Sequence, residues 1–144
     1  MITEQARNLS EYRLNKAKNL LSQAELLLTN RQYDGSINRS YYAILNAVRA
    51  VLALVGIDNR SHQGVMSYFD RYFVKTGLFE KKFSKIIHSA FDTRQDNDYE
   101  DFYIPSKTDA KEQYDNAILF VEEIECKREL FIEGKLSLPV VPRL

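Results

Sequence analysis

The sequence holds no tryptophan, one cysteine, two histidines, three prolines and five glycines in 144 residues. Each scarcity excludes something. One thiol, Cys126, cannot build a disulfide framework or an all-cysteine zinc site. His62 and His88 are too few for a His-rich metal centre. Pro139 and Pro142 lie at the end and only Pro105 is internal, and such sparse punctuation favours long helices over many short strands. Neither sign of charge is in excess, with 20 basic and 20 acidic residues. That argues against a non-specific polyanion binder, although a local basic patch is compatible with a neutral total. Apolar runs never reach the roughly 18 residues of a membrane span. The opening Met1-Ile2-Thr3-Glu4-Gln5-Ala6-Arg7-Asn8 lacks an apolar h-region, so no secretory signal is expected, and a cytoplasmic location is. What remains is ordinary for a soluble globular chain, 44% apolar and 28% charged, with a length close to one domain.

Helical periodicity dominates. Leu14, Ala17, Leu21, Ala24 and Leu28 make one apolar stripe on a helix from about Thr3, a capping residue, to about Thr29, with Asn30 as its stop. A second helix begins near Asp34. Ile37, Tyr41, Leu45, Val48, Leu52 and Val55 follow helical spacing, and Ala50, Val51 and Ala53 widen the belt, which predicts a central helix ended by Gly56. Ser61 caps a short third helix with Val65, Met66, Phe69 and Phe73 inward, ended at Thr76-Gly77. A fourth carries Phe79, Phe83, Ile86, Ile87, Ala90 and Phe91 and fades into the polar run from Asp92 to Asp98. Pro105 and Ser106 to Asp109 form a capping box for a fifth helix, with Ala110, Tyr114, Ala117, Val121 and Ile124 on one face and an end before Gly134. The expected fold is all-α: an up-and-down bundle of four long helices plus a short one. Residues 1–133 form the domain. Residues 134–144 form an apolar, proline-interrupted tail that either packs on this bundle or a dimer mate, or is disordered or held by an outside partner.

Two polar constellations interrupt the apolar pattern. If the fourth helix continues, Ile87, Phe91, Arg94 and Asp98 share a face. Arg94 can then fork onto a phosphate or carboxylate, or simply make an i,i+4 ion pair with Asp98. On the second helix Arg39, Tyr42, Asn46 and Arg49 form a polar stripe, which faces solvent, another subunit or a cleft shared with Arg94 and Asp98. His62 reads as a capping or packing residue. His88 reads as structural or exposed, since it lies about 9 Å along the axis and about 120° around it from Arg94. Cys126 reads as a buried small hydrophobe. Gly-rich phosphate loops, nucleophile elbows, zinc spacings and Glu-x-x-His pairs are missing. The acids Asp92, Asp96, Asp98, Glu100 and Asp101 lack EF-hand spacing and read as a solvated helix end. No metal or cofactor is expected.

Taken in order, Arg39 to Leu52, His62-Gln63-Gly64 with Phe69, Arg94 through Asp98-Tyr99, and Lys107 to Val121 resemble the HEPN domain family over roughly residues 5–130. Arg94 to Tyr99 is similar to the family's Arg-x-x-x-Asp-Tyr variant. The resemblance implies a bundle of about five helices that forms homodimers. It also implies a small nucleotidyltransferase as protein partner in a toxin–antitoxin-like or nucleotide-transfer pair, and RNA or nucleotide as ligand. Active members are metal-independent ribonucleases with an Arg, four to six residues, then His, and two copies meet across the dimer cleft. Here Tyr99, Glu100 and Asp101 stand where the histidine is expected. The resemblance thus implies an Arg94, Asp98 and Tyr99 site with little or no catalysis of its own, and Arg39, Tyr42, Asn46 and Arg49 as the binding stripe. Tyr99 is a candidate nucleotide acceptor. The alternatives are a ribonuclease toxin with a divergent Arg94 site and a purely structural module.

Overall fold

The computed structural model describes residues 2–142; positions 143 and 144 of the expected tail lie outside them. Helix α1 spans Glu4–Thr29, capped by Thr3, whose hydroxyl accepts from the Ala6 N–H at 3.1 Å. Helix α2 spans Tyr33–Leu54, and Gly56 follows at φ 76, the left-handed conformation that closes a helix at least cost in glycine. Helix α3 spans His62–Phe69, capped by Ser61, and continues without a break into a π-helical turn, Asp70–Val74. Helix α4 spans Lys81–Tyr99 and α5 spans Lys107–Ile132. The Ser106 hydroxyl accepts from the Asp109 N–H at 3.0 Å. No strand occurs among the described residues.

Three expectations change. Phe79 lies ahead of α4 rather than on it, yet is buried in the core. The polar run Asp92 to Asp98 does not fade but stays helical to Tyr99. Its turns are held by tertiary contacts that override weak local propensity: Asn97 Nδ2 donates to the Asp34 carbonyl of α2 at 3.0 Å, and Arg94 Nη2 donates to the Tyr42 hydroxyl of α2. Cys126 is exposed, not buried. It lies two residues past buried Ile124, so it is rotated about 200° away from the apolar face of α5.

Helix α2 is central, packed by α1, α3, α4 and α5. Its contact with α1 is close because the facing residues are small: Ala17, Ala24, Ser36, Ser40, Ala43 and Ala47 are fully buried. Ser36 Oγ donates to the Ala24 carbonyl at 2.9 Å, which satisfies the buried hydroxyl. The other half of the core is aromatic. Phe69, Phe73, Phe79, Phe83, Phe120 and Phe131 interlock with ring centroids 5.2 to 6.2 Å apart. Each such ring, once buried, contributes about 1.5–3 kcal/mol. In the tail, Leu136 and Leu138 pack against the core, whereas Val140 is 91% exposed. No helix among the described residues is long and apolar enough to cross a membrane.

Candidate functional site

Arg94 leaves α4 directly beneath the core positions Ile87 and Ala90 and points at α2. Its side chain is only 12% exposed. Nη2 donates to the Tyr42 hydroxyl at 2.9 Å. Three tyrosine rings surround the guanidinium, with Cζ 5.4 Å from the Tyr42 centroid, 5.6 Å from Tyr41 and 5.4 Å from Tyr99. Aromatic faces attract a cation and exclude water from one side of it. Asp98, one turn on, has Oδ2 2.8 Å from Arg94 Nε. That pair has ion-pair contact but poor hydrogen-bond alignment, since the buried Nε–H has no aligned acceptor. Arg94 therefore keeps most of its five donors unspent.

Asp98 is held from both sides. Asn97 Nδ2 and Asn38 Nδ2 donate to its carboxylate through long bonds of 3.5 Å each. Asn38 in turn accepts from Arg39 Nη1 at 2.7 Å. A relay thus runs from Arg39 through Asn38 and Asp98 to Arg94.

The expected stripe on α2 divides. Tyr42 touches Arg94 directly. Arg49 reaches the α2–α3 loop, donating from Nη2 to the Asn59 and Arg60 carbonyls at 3.3 Å each. No acid pairs with it among the described residues, and its Nε–H is buried without a partner. Asn46 is 7% exposed, and its amide donates to the Tyr42 carbonyl of its own helix at 2.8 Å. It is a helix-interior group, not a ligand-facing one. Arg39 turns toward α1, where Nε donates to Gln23 Oε1 at 2.9 Å, and meets the cluster only through the Asn38 relay. Tyr99 is 68% exposed, so its hydroxyl face is open beside Arg94.

One member of the cluster reads from the sequence only as a capping or packing residue. The loop 55–61 runs back alongside α2. Tyr41 lies about 20 Å before Leu54 along the helix, a span that seven extended residues cover. Arg49 grips the returning loop at Asn59 and Arg60, and Arg13 holds Asp58 at 2.9 Å. The approach is close: a Cβ at Gly64 would fall 2.5 Å from the Asn59 amide. His62 is thereby delivered to the level of Tyr41. Its Nδ1 lies 2.9 Å from the Tyr41 hydroxyl, and its ring stands 5.7 Å and 5.8 Å from the Tyr41 and Tyr42 centroids. The same two rings therefore flank both Arg94 and His62. Burial, then the charges of Arg94 and Arg49, hold the His62 pKa below the ordinary histidine value, which favours the neutral imidazole. Burial also raises the Tyr41 pKa well above the ordinary phenol value, so that hydroxyl keeps its proton. The sequence signal available was Ser61-His62 at a helix start after a loop long enough to double back.

His88 lies elsewhere, with Nε2 2.6 Å from Asp70 Oδ2 on the π-helical turn. The acids of α4 do not converge: no group of three or more His, Cys, Asp or Glu fit to hold a metal occurs among the described residues.

The sequence is similar to several known proteins. The family model described as "HEPN domain" matches residues 10–128. A "UPF0332 protein" of Thermotoga maritima is 34% identical over 115 residues, 80% of this chain and 87% of that protein. "Putative toxin MJ0605" of Methanocaldococcus jannaschii is 31% identical over 109 residues, 76% and 81% of the two chains. A Pyrococcus horikoshii protein, "UPF0332 protein PH1297", is 44% identical over 75 residues, 51% of this chain and 53% of its own.

Proposed function

Because the chain belongs to the HEPN domain family, we propose that it is the HEPN member of a toxin–antitoxin-type pair. In this reading it homodimerises, partners a minimal nucleotidyltransferase and binds a phosphate of RNA or a nucleotide at Arg94, with little or no catalysis of its own. The likeness to a relative named as a toxin supports the pair. The observation that carries the reading is the Arg94 side chain itself. It is nearly buried, caged by three tyrosine rings, and committed to one aligned hydrogen bond. A guanidinium placed only for stability would be expected to spend its donors on protein. Tyr99, exposed beside it, supplies a hydroxyl that a nucleotidyltransferase can modify. Asp98 acts by orienting Arg94 rather than by taking protons.

One observation favours a second reading, a metal-independent ribonuclease: His62 enters the Arg94 cluster from another helix, although no histidine follows Arg94 in the sequence. Binding and cleavage of short single-stranded RNA in EDTA, wild type against Arg94→Ala, separates the readings. We expect binding by the wild type that falls about tenfold or more in the variant, equivalent to one charge-assisted contact. Unchanged binding overturns the phosphate site and leaves a structural module. Cleavage that disappears in the variant favours the ribonuclease. Intact-mass measurement after incubation with the partner and a nucleoside triphosphate tests Tyr99, where absence of an adduct removes it as an acceptor.

A further inference from the structure

His62 has one ring nitrogen committed and one free. Nδ1 is within hydrogen-bond distance of the Tyr41 hydroxyl, and no described residue hydrogen-bonds Nε2. The ring is half-buried, and no acid is bonded to it. The titratable and charged groups packed around it are Tyr41, Tyr42 and Arg49 from α2, and Arg94 from α4 with Asp98 and Tyr99 beyond it. From the preceding loop come Arg60 and Asp58, the latter occupied by Arg13. Two guanidiniums with unspent donors therefore face one neutral imidazole; Asp98 lies beside Arg94, whereas Asp58, whose charge reaches Arg49, is bonded to Arg13. Such a set is short of one negative charge.

We propose that His62 is the third, proton-accepting member of a phosphodiester site whose other members are Arg94 and Arg49, so that ligand binding takes up a proton. This rests on the phosphate-site reading above and names how that site is regulated. A phosphodiester arriving at the guanidiniums cancels their share, second to burial, in keeping the imidazole neutral. His62 then gains a proton at Nδ1, and the Nε2–H that the neutral ring already carries donates to a phosphate oxygen. Tyr41 accommodates both states because a hydroxyl both donates and accepts. Before binding, Tyr41 O–H donates to Nδ1; afterwards Nδ1–H donates to the Tyr41 oxygen. No residue moves. Linkage fixes the sign: a ligand that raises the proton affinity of a site binds more tightly as pH falls.

A short oligouridine is the probe, because its phosphodiesters do not titrate between pH 5 and 8. Affinity is read by fluorescence anisotropy near pH 5.5 and pH 8. The wild type is expected to bind several-fold tighter at the lower pH, approaching about tenfold if the ligand raises the His62 pKa by one unit. His62→Gln is expected to bind more weakly and with the same affinity at both pH values, and His88→Gln to keep the wild-type pH dependence. On the unmutated protein, the His62 Cε1–H resonance is expected to titrate at higher pH once oligouridine is added. Equal affinity at both pH values, with binding still lost in Arg94→Ala, overturns the proton linkage and leaves the phosphate site standing. Wild-type affinity retained in Arg94→Ala overturns both.

Discussion

Replacing Arg94 with alanine should cost stability as well as ligand, and the structure sets the size of the loss. The substitution removes a charged donor's hydrogen bond to Tyr42 at 2.9 Å, worth about 1.5–3 kcal/mol when its partner is shielded. It removes an i,i+4 contact with Asp98, worth a few tenths of a kcal/mol. It also removes three aromatic contacts, of order 0.5–1 kcal/mol each where partly exposed. These terms share one side chain and are not additive, and the guanidinium regains hydration in the unfolded chain. A net loss of about 2 kcal/mol is expected, or a melting temperature lower by about 6 °C in a domain of this size. Urea unfolding of the wild type, Arg94→Ala, Tyr42→Phe and the double variant isolates the central contact. The cycle should return a coupling of about 1 kcal/mol. Arg94→Lys should fall between wild type and alanine, because one ammonium cannot bridge Tyr42 and Asp98 as a fork does. A loss under about 0.5 kcal/mol with no coupling would refute the picture of a caged, nearly buried guanidinium.

Phe120 sits at the meeting of Phe69 and Phe83, so Phe120→Ala should cost about 3–5 kcal/mol in urea; a loss near 1 kcal/mol would mean that the aromatic core is loosely packed. Phe102 is 99% exposed at φ 64, a backbone region that costs a non-glycine residue about 1 kcal/mol. Phe102→Gly should therefore be neutral or stabilising by up to about 1 kcal/mol in thermal melts, and clear destabilisation would mean that the ring packs. Because the folded-state His62 pKa lies below that of the unfolded chain, the unfolded state binds more protons, and stability should fall as pH drops from about 6.5 toward the folded pKa. His62→Gln should flatten that part of the stability profile, and an unchanged profile would exclude His62 as its source. Leu138→Ala should cost about 1 kcal/mol if the tail's packing on the core is stabilising, and no change in melting temperature would make that contact incidental.

The helices were legible because their evidence is local. Thr3, Ser61 and Ser106 announce helix starts by side-chain chemistry that acts within one turn. The apolar spacing of Ile37 to Val55 marked α2 as central before any packing was known, and five helices of the expected order form the bundle. The end of α4 was not legible. Asp92 to Asp98 reads as a helix end by propensity, and its contacts with Asp34, Asn38 and Tyr42 on α2 keep it wound. The site was half legible for the same reason. Arg94 and Asp98 share a helix face, so spacing finds them. Tyr42 and Arg49 were on the right stripe, whereas Asn46 and Arg39 were separated from the centre by where their hydrogen bonds go. Cys126 followed its residue type in the sequence reading, but its register on α5 puts it outside. His62 depends on a loop doubling back along α2, a long-range event that neither periodicity nor spacing records.

The central claim is that Arg94 and the side chains around it form the phosphate-binding site. Chemical-shift mapping of the labelled wild-type protein with a short oligouridine tests it most directly. The largest perturbations are expected on the Arg94 Nε–H, on the Tyr42 and Tyr99 rings and on His62, and they should vanish in Arg94→Ala. Perturbations centred elsewhere, for instance around Arg71, Lys75 and His88 in the groove between α3 and α4, or none at saturating ligand, would contradict it.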